Sequence, residues 1–170
     1  MRARAVQIHP GELLASMADD RLRVVVLDVR PESDYNLFHI EGAKWVPLEA
    51  LPALAQELLA QTAPNMVYVV VSNDEVLATQ AWRMLVAESV PNVYILEGGI
   101  NYWLRVFAAE EEGIQPTATP AGQERLIYAF PAALGSRYEV AFPNPHEWEM
   151  EYTPKIKLQI KRDKSGGGCG

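Results

Sequence analysis

Two windows of the chain are apolar without interruption. Val24-Val25-Val26-Leu27, inside Arg23 to Asp28, and Met66-Val67-Tyr68-Val69-Val70-Val71, inside Asn65 to Ser72, are bounded by polar or turn residues. Such runs predict strands buried on both faces of a parallel sheet, since a strand with one wet face would alternate. Val93-Tyr94-Ile95-Leu96 predicts a third strand, and shorter runs near Val6 and Trp45 predict two more. Between them, Pro10 to Ala18, Pro52 to Gln61, Glu75 to Glu88 and Gly99 to Glu111 have helical spacing, as in Leu77, Ala81, Met84 and Leu85. Pro10 and Pro52 suit a first helical turn, where a missing N–H is no loss. Repeated β-α order predicts a parallel α/β domain over residues 1–110.

The pattern changes after Glu110-Glu111-Glu112-Gly113. Six of the twelve prolines fall between Pro116 and Pro154, so long regular elements are not expected there. Yet Tyr128, Phe130, Tyr138, Phe142, Trp148 and Tyr152 share the segment, and a disordered linker rarely carries so many aromatics. Residues 111–162 are therefore expected to wrap irregularly against the domain. They end in Lys155-Ile156-Lys157-Leu158-Gln159-Ile160-Lys161, whose period-2 alternation predicts a half-buried strand with a basic outer face. Residues 163–170, rich in glycine, read as a flexible tail.

Composition narrows the function classes. A length of 170 residues suits one domain with an extension, and about half the residues are apolar. The net charge of −7 argues against general nucleic-acid affinity. No apolar run approaches a membrane span, and the basic residues of Met1 to Val6 precede no apolar signal core. The single cysteine, Cys169, forbids an intrachain disulfide; with three scattered histidines no metal site is expected, and no cofactor is implied. The expected location is a reducing cytoplasm, where an exposed thiol stays free. A monomer or weak dimer is expected, with a protein partner or a sulfur donor or acceptor.

Three motifs appear in order. Leu27-Asp28-Val29-Arg30 is followed by Tyr35. His39-Ile40-Glu41-Gly42-Ala43 is followed by Val46-Pro47-Leu48. Asn92-Val93-Tyr94-Ile95-Leu96-Glu97-Gly98-Gly99 is followed by Trp103. In this order and spacing the chain from Val24 to Trp103 resembles the rhodanese-like domain family. The resemblance implies a three-layer α/β/α sandwich around a five-stranded parallel sheet. It also implies mostly structural roles for Asp28, Arg30, His39, Gly42, Glu97, Gly98 and Gly99. Asp28 and Arg30 at a strand end suit charge-assisted bonds that fix the next loop. His39 is open to two readings, a general base or a hydrogen-bonded histidine tying a turn together. Gly98-Gly99 suits a tight strand-to-helix turn, and no lysine or further glycine makes it a phosphate loop.

In the family the resemblance points to, a cysteine after the fourth strand opens a loop whose amides and helix dipole hold a thiolate and then a persulfide. It stands about 24 residues ahead of the Leu of Leu-Glu-Gly-Gly. That position holds Ser72. Serine carries no sulfane sulfur, and its hydroxyl is a poor nucleophile without a base. The loop Ser72, Asn73, Asp74, Glu75, Val76, Leu77 contains the Ser-x-x-Glu of a capping box. In that arrangement Ser72 accepts from the Glu75 amide and Glu75 from the Ser72 amide. Asp74 and Glu75 also put negative charge where a substrate anion would sit. Two readings follow: a plain helix cap on a scaffold with no catalytic residue at the usual site, or an altered pocket acting through Ser72, Asp74 or Glu75. Phosphatase chemistry of the related dual-specificity type fails for lack of the same cysteine and of an arginine.

The tail offers the only thiol. Gly166-Gly167-Gly168-Cys169-Gly170 resembles, over five residues, the Gly-Gly-Cys-Gly arms of thiosulfate-carrying sulfur-oxidation proteins. Glycines give a tether on which Cys169 can enter another pocket. Lys155, Lys157, Lys161, Arg162 and Lys164 would steer an anion or acidic partner toward it. Against this, the tail also reads as an inert end, and the lysines as guards of an exposed strand edge. The leading expectation is a rhodanese-like binding or regulatory module without sulfurtransferase turnover. The alternative is a sulfur-transfer participant carrying sulfur on Cys169.

Overall fold

The computed structural model describes residues 5–109 and 111–158. Cys169, the glycines before it and the basic residues after Leu158 lie outside the described residues. Five strands, β1 (Gln7–Ile8), β2 (Arg23–Asp28), β3 (Lys44–Trp45), β4 (Met66–Val71) and β5 (Val93–Leu96), form one parallel sheet in the order β1-β5-β4-β2-β3. Helices α1 (Pro10–Met17), α3 (Leu51–Gln61), α4 (Val76–Ala87) and α5 (Gly99–Phe107) match the expected helical windows. Helix α5 stops short of the expected Glu111; the Ala108 amide closes on Leu104 O, ending the last turn. A further short helix, α2 (Glu32–Leu37), has no buried residue, and the helical windows read from the sequence do not include it.

Strand β4 is buried throughout because both its faces are covered. Val67, Val69 and Val71 face one cluster with Leu13 and Leu14 of α1 and Ile100, Trp103 and Leu104 of α5. Met66, Tyr68 and Val70 face the other, with Leu51, Ala55 and Leu58 of α3 and Ala78, Ala81 and Leu85 of α4. The two-residue pleat period sorts successive side chains of one strand into two cores. The result is the three-layer sandwich expected from the sequence.

Residues after 111 pack on the α1/α5 face. Ile114, Tyr138, Val140 and Ala141 are buried in the same cluster as Trp103 and Phe38. The Trp103 indole N–H donates to Val140 O at 2.7 Å. Phe38 stacks on Phe130 at 5.8 Å, and Phe107 meets Trp148 edge-on at 5.2 Å. A two-stranded antiparallel hairpin, β6 (Gln115–Pro116) with β7 (Tyr128–Ala129), interrupts this coil.

The strand expected over Lys155–Lys161 does not form in its described part, 155–158. Its amides find side chains instead of a neighbouring strand. The Lys155 amide donates to both carboxylate oxygens of Glu12, at 2.6 and 2.9 Å, and the Lys157 amide to the Tyr94 hydroxyl at 2.8 Å. Lys155 Nζ turns inward to Gln7 O at 2.8 Å, so the expected basic outer face is also broken. The alternation reflects Ile156 packing into the core, not a ladder.

Candidate functional site

The site lies beyond the carboxyl ends of β4 and β5, where open parallel sheets place their ligand crevices. Ser72 follows directly on β4 and is 0% exposed. Its hydroxyl donates to Asp74 O at 3.1 Å and accepts from the Ala78 amide at 3.1 Å. The hydroxyl proton is committed to a carbonyl and points at no base. Ser72 therefore ties the loop to the first turn of α4.

The expected capping box is not what forms. Ser72 caps at Ala78, not at Glu75, and α4 begins at Val76 after Glu75, whose side chain makes no cap bond. The carboxylates of the loop have partners distant in sequence. Glu75 Oε2 accepts from the Gly98 amide at 3.0 Å, across the crevice. Asp74 Oδ1 accepts from Asn101 Nδ2 at 3.1 Å, and Asp74 Oδ2 from the Glu124 amide at 2.9 Å. The Val76 amide, at the N-terminus of α4, donates to Glu124 Oε2 at 2.9 Å. The dipole and free N–H of that terminus favour an anion, and the chain itself provides one.

The loop is held from three sides. The Ile100 amide donates to Ser72 O at 2.9 Å and the Asn101 amide to Asn73 O at 3.0 Å. Gly98 and Gly99 both adopt left-handed conformations, with φ of 66° and 63°, so α5 starts close under the loop. A Cβ on Gly99 would run into the backbone carbonyls of Ser72, Asn73 and Asp74. Below, Arg30 and Asp28 form a fully buried pair. Arg30 Nη2 lies 2.8 Å from Asp28 Oδ2 and Nε 3.0 Å from Oδ1. Nη2 also donates to Phe38 O, and Nη1 reaches Asn73 Oδ1 at 3.4 Å. Asn73 Nδ2 donates onward to Asp34 Oδ2 at 2.9 Å. Arg30, the one buried arginine among the described residues, is thus occupied by Asp28, Asn73 and Phe38 O and carries no open cationic face.

His39 is brought to the far side of this brace. Its Nδ1 donates to Tyr35 O at 2.7 Å, its ring stacks on Tyr35 at 3.8 Å, and its amide donates to Gly135 O. These bonds tie α2 to the later coil, and no contact links His39 to Ser72. Gly42, with φ of 76°, turns the chain into β3. Glu97 lines the crevice together with Asp74, Glu75, Asn101, Tyr102 and Arg105, around a cavity of about 350 Å3. Three carboxylates against one cation suit an anionic substrate poorly. The cation, Arg105, lies over the Tyr102 ring at 4.7 Å. Tyr102 in turn meets His9, with Oη 3.1 Å from Nε2. The other ring nitrogen of His9 accepts from the Gly11 amide at 2.9 Å and caps α1. Burial holds the His9 imidazole below the usual histidine value, against the pull of Glu97 and Glu12. Among the described residues, no three His, Cys, Asp or Glu side chains gather as metal ligands.

Two functional neighbours escape sequence reasoning. Asn101 is a polar residue on the buried face of α5, between Ile100 and Trp103, and that misplacement was the available signal. Glu124 sits among Gln123 and Arg125 in a coil, with no pattern to mark it.

Residues 9–105 match the model of the rhodanese-like domain. The chain belongs to the rhodanese-like domain family. The similarity to curated proteins covers more of the chain than this match does. It is 27% identical over 149 residues to the Centrosomal protein of 41 kDa of Bos taurus, covering 82% of this chain and 39% of that protein. The chain thus spans about two-fifths of the length of the curated relative it matches. Among solved structures, a thiosulfate sulfurtransferase from Pseudomonas aeruginosa superposes with a TM-score of 0.51 at 31% identity, over 62% of this chain and 19% of that one. The Alr3790 protein from Anabaena gives 0.51 at 25% identity, over 58% and 75%. The rhodanese-like domain of this chain is thus a sulfurtransferase-related fold. No helix among the described residues is long and apolar enough to cross a membrane.

Proposed function

We propose that this rhodanese-like domain works as a binding or regulatory module and does not turn over thiosulfate. One observation carries the reading: the position expected for the sulfur-carrying cysteine is Ser72, fully buried, with its proton donated to Asp74 O and its lone pair taken by the Ala78 amide. A hydroxyl so engaged has no base and no access to substrate. The acid-lined crevice supports the same reading, because thiosulfate is a dianion. The partner in this reading is a protein, met in a reducing compartment such as the cytoplasm by a monomer or weak dimer.

Thiocyanate formation from thiosulfate and cyanide tests it. The purified chain and its Cys169→Ser variant should both run at the uncatalysed rate. Turnover retained in Cys169→Ser would overturn the proposal. Turnover lost in that variant would assign sulfur transfer to the tail thiol instead.

A further inference from the structure

We infer that the cavity at the C-terminal end of α5 receives the side-chain cation of a lysine or arginine on a protein partner. The inference rests on the reading of the domain as a binding module and gives its partner a chemistry, a basic segment. Phe107 is the last residue of α5, and Trp148 of the later coil meets it edge-on. Beside them lies a cavity of about 460 Å3, lined by these two rings and Phe142 and by Glu111, Glu139 and Glu147. That size falls among pockets that take small organic groups, about 300–1,000 Å3. The cavity lies at the opposite end of α5 from the Ser72 loop, which is bonded to the helix start through the Ile100 and Asn101 amides. Glu139, Phe142 and Glu147 are exposed, so a side chain can enter while the backbone that carries it stays outside.

Three independent terms have the same sign there. The first is charge. No lysine, arginine or histidine lines the cavity, and among the described residues none of its three glutamates has an ion pair. Burial, and after it the charge of Glu139, hold the Glu111 carboxyl above the usual glutamate value, and a cation in the cavity offsets the second of these. The second term is the helix end. The last-turn carbonyls put the negative pole of α5 beside Phe107. Arg105, the cation on that turn, lies over the Tyr102 ring at 4.7 Å and does not line the cavity. The third term is aromatic. Phe142 is 41% exposed and Trp148 is half-buried, which leaves ring surface that attracts a cation and apolar surface that covers a lysine or arginine stem. The carboxylates do not gather as metal ligands, so they suit a long side chain with several donors better than a bare ion. An acidic segment or an oxyanion would meet only like charge.

NMR on the full chain tests it, with Nα-acetyl-lysine methylamide as the probe and the Trp148 indole N–H as the reporter. The indoles of Trp45, Trp82 and Trp103 are each bonded to a carbonyl and serve as internal references. The probe should shift the Trp148 resonance saturably, and its uncharged norleucine analogue should bind at least about fivefold more weakly. Glu139→Gln combined with Glu147→Gln should weaken the probe about fivefold, and Phe142→Ala about threefold. Glu49→Gln combined with Glu57→Gln removes the same net charge from elements that pack on the other face of the sheet, and should leave binding within about twofold. All five substituted side chains are exposed, so none of these variants removes core packing. No saturable shift, equal binding of the norleucine analogue, or equal losses in the two double variants would overturn the inference. Tetramethylammonium binding as tightly as the lysine probe would overturn it too, by assigning the cavity to free small cations. Thiocyanate turnover would instead overturn the binding-module reading and leave these shifts measurable, whereas loss of lysine binding removes this inference alone.

Discussion

Replacing Gly99 with alanine separates two penalties that glycines usually suffer together. Gly42 and Gly99 share a left-handed backbone, at φ of 76° and 63°. At Gly42 a new Cβ meets nothing within 4 Å, whereas at Gly99 it collides with the carbonyls of Ser72 and Asp74 and lies 2.6 Å from that of Asn73. The backbone term, about 1–2 kcal/mol for a side chain held left-handed, is common to both. Lost freedom of the unfolded chain offsets it by about 0.4–1 kcal/mol in each. Gly42→Ala should therefore cost about 1 kcal/mol. Gly99→Ala adds overpacking, about 1–3 kcal/mol, against backbone that cannot rotate aside. Two of the crowded carbonyls already accept the Ile100 and Asn101 amides, and displacing them weakens bonds worth about 1 kcal/mol each. The total is about 3–5 kcal/mol. Urea unfolding of both variants, at equal m-values, reads the difference. If Gly99→Ala falls within about 1 kcal/mol of Gly42→Ala, the loop is not pinned by α5 as described.

Asp28→Asn should destabilise the chain by about 3–5 kcal/mol, because Arg30 would remain charged and buried with only neutral acceptors. Urea unfolding would show it, and a loss below about 1 kcal/mol would mean that Arg30 finds water. Acidification should uncap α1. The His9 imidazole is held below its usual value by burial, so its contribution is complete above about pH 6.5 and declines as pH falls through the lowered folded value. Protonation fills the nitrogen that accepts the Gly11 amide, a cap worth about 1 kcal/mol. His9→Ala should be less stable at pH 7 and should lose that part of the acid dependence of Tm. An unchanged acid limb would assign the loss to carboxylates.

The sheet was legible in the sequence because its central strands are buried on both faces, which leaves an unbroken apolar signature. The helices that cover it were legible from their spacing. Helix α2 was not, since Glu32-Ser33-Asp34-Tyr35-Asn36-Leu37 has no buried stripe; it is held by Pro31 O, which accepts from Asp34 N and Tyr35 N. The absence of a thiol at Ser72 was readable by counting positions. The loop's wiring was not. A local window pairs Ser72 with Glu75, but the carboxylates of Asp74 and Glu75 are claimed by Asn101, by the Glu124 amide and by the Gly98 amide. Those partners become neighbours only after the sheet has assembled. The coil after Glu111 was recognisable as ordered from its aromatics, whereas the bonds it makes at 155–158 go to Glu12 and Tyr94, which no alternation pattern encodes.

The burial of Trp103 changes what counts as the folding unit. The family match ends at residue 105, yet the indole at 103 is sealed by the carbonyl of Val140, and Phe38 and Phe107 are roofed by Phe130, Tyr138 and Trp148. A chain cut at the edge of the match would keep every strand of the main sheet but expose Phe38, Trp103 and their neighbours where the later coil covers them. It would then present a contiguous aromatic surface, the kind that drives self-association. The part of the chain that matches the family is thus a scaffold whose aromatic side is covered by the residues that follow it.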